Sequence, residues 1–151
     1  MRFAWFLGLS GLIPFFAGLL LTFSGDWSTA VVTGLSLSGP KVMLSYGAII
    51  LSFMGAIHWG AALEREPDRG WPYLVSVIPA LYGWMIWGLS LLNPAGSGLL
   101  MMALALGFVI LLIFDLVRER AGDFPRWYGR MRVVLTLGAA GSLALGGFYS
   151  L

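Results

Sequence analysis

Apolar residues fill five long runs of this chain, each bounded by charged or turn-forming residues. A hydrocarbon layer about 30 Å thick is crossed by roughly 20 residues of helix at about 1.5 Å each, so runs of this length predict transmembrane helices. The pattern places them at about 3–23, 42–63, 71–92, 98–117 and 133–151. The first ends in Ser24-Gly25-Asp26, the second lies between Lys41 and Glu64, and the third stops at Asn93-Pro94. The first run is too long for a signal-peptide core and lacks a small-x-small cleavage site, so a retained anchor is expected. Residues 1–151 read as one transmembrane domain, an all-α bundle of five helices.

Helices in lipid associate through close packing of small side chains. The second run carries Ala48, Ser52, Ala56 and Gly60 at four-residue spacing, and Gly47, Gly55 and Ala62 on another face together with His58. It is expected to be a central helix with neighbours on two sides. Gly138, Ser142 and Gly146 repeat the device in the fifth run, and Gly8, Gly11 and Gly18 in the first. Pro14 and Pro79 fall inside runs one and three, where each removes a backbone donor and predicts a kink.

Composition supports lipid as the solvent: 59% of residues are hydrophobic and 11% charged, against about a quarter charged in soluble domains. The net charge of +2 is too small for nucleic-acid binding, and the absence of cysteine excludes thiol catalysis and thiolate metal sites. Placed on alternating sides, Arg2, Arg65, Arg69, Arg118, Arg120, Arg126, Arg130 and Arg132 fall together, with Lys41 alone opposite. By the positive-inside rule the N-terminus is expected in the cytoplasm and the C-terminus in the periplasm of a bacterial inner membrane.

His58 is the only histidine and lies roughly 9 Å of helical rise inside the second run from Glu64. An ionisable group at that depth marks function, or else a neutral imidazole bonded to a neighbouring helix. Asp115 is its expected partner by depth, with Arg118 the competing partner for Asp115. Haem would need Met85, Met101 or Met131 as second axial ligand and has no attachment motif, so no cofactor or metal is expected. Gly8-Leu-Ser10-Gly11 matches the G-x-S-G of rhomboid proteases, but that fold needs six spans, and no catalytic residue is assigned. Trp84 and Trp87, three residues apart, are expected on one helix face, suited to stacking a flat lipophilic ligand or to anchoring at the interface. Asp123 before Phe124-Pro125 reads as an N-cap that extends the last helix back through Arg126, Trp127, Tyr128, Arg130 and Arg132. These five residues are expected at headgroup level, the arginines holding anionic lipids at about 1 kcal/mol each.

Leu51-Ser-Phe-Met-Gly-Ala-Ile-His58-Trp59-Gly60, Ile78-Pro79-Ala-Leu-Tyr-Gly83-Trp84, Pro125-Arg-Trp127-Tyr128-Gly-Arg130-Met-Arg132-Val-Val-Leu-Thr136 and Gly11-Leu-Ile-Pro14-Phe15 resemble one known family. It is the family of unknown function that includes mitochondrial transmembrane protein 69 and many proteobacterial inner-membrane proteins. The resemblance implies a small multi-span protein and brings no activity. A second likeness, of architecture alone, is to the tryptophan-rich sensory or translocator proteins, which bind porphyrins and sterols; Trp127-Tyr128 is similar to an aromatic pair there, without the surrounding prolines. With no catalytic constellation, the expected function is non-enzymatic. The chain reads as an accessory or assembly subunit packing against a larger membrane complex, respiratory or otherwise energy-transducing, or against a second copy of itself. The alternative is a binder or carrier of a flat lipophilic molecule such as a porphyrin or quinone, held among Trp84, Trp87 and the two proline kinks.

Overall fold

The computed structural model describes residues 2–24, 30–32, 35–65 and 68–151, with the backbone alone for 30–32 and 35–37. Gly25 and Asp26, expected with Ser24 to end the first span, lie outside the described residues. Among the described residues, six α-helices form five membrane-length elements: α1 (Arg2–Ser10), α2 (Ile13–Phe23), α3 (Gly39–Arg65), α4 (Gly70–Leu92), α5 (Ser97–Arg120) and α6 (Arg126–Tyr149). The protein is an all-α, multi-pass membrane bundle. Between α2 and α3 the backbone adds a short antiparallel ribbon, β1 (Ala30–Val32) and β2 (Leu35–Leu37), pairing Ala30 with Leu37 and Val32 with Leu35. The sequence reading had no strand there; its only signals are paired valines and the two-residue alternation of Leu35-Ser36-Leu37.

The kink expected at Pro14 is a break two residues earlier. Gly11 and Leu12 form a turn, and Pro14 sits in the first turn of α2, where its missing N–H costs nothing. The freed Gly11 carbonyl accepts a hydrogen bond from Tyr46 Oη at 2.9 Å, which meets the membrane's demand that broken backbone be satisfied by neighbours. Pro79 stays inside a continuous α4.

Small residues set the helix contacts. A Cβ built on Gly55 would lie 2.8 Å from the Ser76 carbonyl and 2.9 Å from Pro79 Cγ, so α3 and α4 touch backbone to backbone there. Gly83 meets Ala48 in the same seam, and Gly98 and Gly147 bring α5 and α6 together at the opposite end. On α3 the face with Gly47, Gly55, His58 and Ala62 is buried, while Ala56 and Gly60 point outward. Phe15, Met43, Leu44, Leu51, Met101, Leu104, Phe108 and Leu143 fill the centre between α2, α3, α5 and α6.

The turn from α5 to α6 is closed by glycine. Gly122 has φ 90°, the left-handed conformation after a helix end, with the Gly122 and Asp123 N–H groups donating back to the Glu119 and Arg118 carbonyls at 3.0 Å. Asp123 is not the N-cap expected of it, since α6 starts at Arg126 without a side-chain cap. Its carboxylate instead pairs with Arg118 at 2.6 Å and Arg65 at 3.2 Å, tying the ends of α3 and α5 together.

Candidate functional site

Three ionisable side chains converge five to seven residues inside the ends of α3, α5 and α6, about 7–11 Å along each helix. His58 Nε2 lies 2.7 Å from Asp115 Oδ1, and Arg132 Nε donates to Asp115 Oδ2. All three are buried, at 5%, 0% and 2% exposure. A carboxylate clamped by a guanidinium is ionised and only accepts, so the imidazole presents its Nε2–H to it. Edge-on contacts with Phe114 at 4.8 Å and Phe124 at 5.5 Å fix the imidazole plane. Arg118, the competing partner for Asp115, is engaged with Asp123 and sits over the Trp71 ring at 5.9 Å.

Arg132 and Tyr128 correct the expectation of five headgroup-level residues. Tyr128, Arg132 and Thr136 follow one another at four-residue spacing, so they share the inward face of α6 with Ala139, Ala140 and Leu143. Arg126 and Arg130, on another face, remain exposed, and Trp127 is half-buried. Burial separates arginines that the charge count treats alike. The four-residue stripe of Tyr128, Arg132 and Thr136 was the signal that distinguishes them.

The polar face opens on a cavity of about 260 Å³ between α1, α3 and α6. Leu7, Phe15, Phe53, Phe108 and Leu135 give it apolar walls, and Leu7 and Phe53 are exposed on the outside of the bundle, marking its mouth. Tyr128, Arg132 and Thr136 line it as well. Each has one buried polar atom without a hydrogen-bond partner among the described residues: Tyr128 Oη, Arg132 Nη2 and Thr136 Oγ1. Arg132 Nη1 rests against Met54 Sδ, so only the second amino group is left over. Unmet polar atoms of this kind are rare in buried protein and call for an explanation.

The tryptophan pair does not form a stacking face. Trp84 is 73% exposed on the outer side of α4, whereas Trp87 is turned against the core, and neither lines this cavity. An apolar groove beside Pro79, between α3, α4 and α5, ends on Tyr82, whose hydroxyl already donates to the Ala103 carbonyl at 2.6 Å.

The family model described as "Protein of unknown function (DUF3429)" matches residues 1–148. The chain belongs to this family. Transmembrane protein 69 of Xenopus tropicalis is 35% identical over 144 residues, covering 93% of this chain and 51% of that protein. This DUF3429 chain therefore spans about half the length of that relative. No solved structure matches it. Within the DUF3429 chain, the motifs Phe53-Met54-Gly55-Ala56-Ile57-His58 and Trp127-Tyr128-Gly129-Arg130-Met131-Arg132 are the segments that bring His58, Met54, Tyr128 and Arg132 around Asp115.

Proposed function

We propose that this protein is a non-enzymatic binder or carrier of a lipophilic molecule, held in the groove between α1, α3 and α6. One observation carries the reading: three residues of α6 that line a single, almost wholly apolar cavity reaching the outer surface of the bundle each keep one buried polar atom unpartnered among the described residues. An apolar cleft with a few convergent polar groups is the usual form of a small-molecule site. The Trp84 and Trp87 face has no part in it. Native mass spectrometry of the full chain, released from its own membrane in mild detergent, tests the proposal. A single lipophile per chain is expected, and Ala4→Trp, which fills the half-exposed mouth of the groove, abolishes its retention. Arg126→Gln with Arg130→Gln is expected to strip anionic phospholipid while leaving the groove ligand in place, since both arginines are exposed at headgroup level. A wild-type chain that emerges bare removes the reading.

The second reading is an accessory or assembly subunit. Ala56 and Gly60 favour it, because a Cβ at Gly60 meets nothing within 4 Å and this small-residue face of α3 is open to another helix. Subunits that co-purify stoichiometrically, with no groove ligand, decide for it.

The proposed setting is a bacterial inner membrane, with the ends of α3 and α5 and the starts of α1 and α6 on the cytoplasmic side, where eight of the nine basic residues gather. Single cysteines introduced into this cysteine-free chain check it. Ala95→Cys is expected to label from outside intact cells, and Ala121→Cys only after permeabilisation. The reverse pattern overturns the orientation.

A further inference from the structure

The polar end of the groove is specific enough to name the head of its ligand, provided that the groove is a binding site as proposed above. We infer that the head is an uncharged ring carrying carbonyl acceptors, of the quinone class, with an apolar tail leaving between Leu7 and Phe53. The donor inventory comes first. Arg132 Nη2 can only donate, and the Tyr128 and Thr136 hydroxyls each have a proton to give, so the group that satisfies all three accepts.

Charge decides the kind of acceptor. Arg132 is already matched by Asp115, so the ion pair at the head of the groove carries no net charge. A carboxylate or phosphate head adds one uncompensated negative charge at a depth where an unpaired charge is costly. Carbonyl and ether oxygens accept without that penalty.

Size and walls decide the rest. About 260 Å³ is below the roughly 300–1,000 Å³ of pockets for drug-sized ligands, which suits one ring and excludes a porphyrin macrocycle. Phe15, Phe108 and Tyr128 supply aromatic surface around the ring, and the exposed Leu7 and Phe53 border the exit for the tail.

The test uses the full chain in lipid nanodiscs, titrated separately with a benzoquinone bearing a ten-carbon tail and with oleate. Tyr128→Phe and Thr136→Val each remove a hydroxyl that bonds nothing in the protein, so neither variant loses a native hydrogen bond, and thermal unfolding is expected to stay at the parent value. Quinone affinity is expected to fall about threefold to tenfold in each, the value of one hydrogen bond. A purely structural role for these side chains leaves affinity unchanged in both variants, and that result overturns the inference. If the wild type prefers oleate, and Ala4→Trp and Tyr128→Phe weaken oleate binding, the uncharged head is wrong while the groove reading stands. If neither probe binds, the quinone-class head is wrong and the groove reading stands or falls on the co-purifying lipophile; if Ala4→Trp leaves the binding of both probes unaltered, the groove reading falls and takes this inference with it.

Discussion

Asp115→Ala is expected to destabilise the bundle by about 3–5 kcal/mol, because it leaves the Arg132 guanidinium buried without its counter-charge. Asp115 also holds His58, so the substitution strands two polar groups at once. His58→Ala keeps the ion pair and removes one hydrogen bond to a charged group, for which about 1.5–3 kcal/mol is expected. The double substitution Asp115→Leu with Arg132→Met replaces both charges by apolar groups of similar size and is expected to recover the part of the loss caused by the unpaired guanidinium, leaving the part caused by the lost His58 hydrogen bond. Unfolding of the four proteins by detergent titration, followed by tryptophan fluorescence, measures this order. An Asp115→Ala variant within about 1 kcal/mol of the parent contradicts a buried, paired charge.

Gly55→Leu is expected to destabilise the bundle without touching charge. Even a Cβ at this position meets the Ser76 carbonyl at 2.8 Å, and backbone cannot turn aside as a side chain does. The α3–α4 seam must open, and overpacking of this kind costs about 1–3 kcal/mol. Gly60→Leu, one and a half turns further along the same helix, is the control, because open space surrounds it and no loss is expected. Equal unfolding midpoints for the two variants contradict the seam.

The spans were legible because a hydrocarbon core imposes a length that few other structures share. The observed helices run from 39 to 65, 70 to 92 and 97 to 120 where 42–63, 71–92 and 98–117 were expected. Which residue faced which neighbour was less legible. His58 and Asp115 matched by depth alone, since both lie a similar distance inside the same end of the bundle. Arg132 was hidden because a basic residue near a helix start looks like part of the interfacial belt whichever way it points. Its four-residue relation to Tyr128 and Thr136 carries the missing information, and only the packing of α6 against α3 and α5 turns that stripe into a site. Trp84 and Trp87 failed for the opposite reason: a three-residue step leaves two side chains about 60° apart, enough for one to face lipid and the other the core.

The Asp115–Arg132 pair also constrains how the chain enters a bilayer. Each residue sits in a different span, and a lone Asp or Arg at the centre of a helix adds about 2.5–3.5 kcal/mol to insertion, less toward the interface. α5 and α6 are consecutive, antiparallel and joined by the five residues 121–125 around Gly122. When the two helices partition together as a hairpin, the two charges neutralise each other before either meets lipid. The last third of the molecule is therefore a single unit of insertion, and the tight glycine turn at its base is what makes the two spans one passenger.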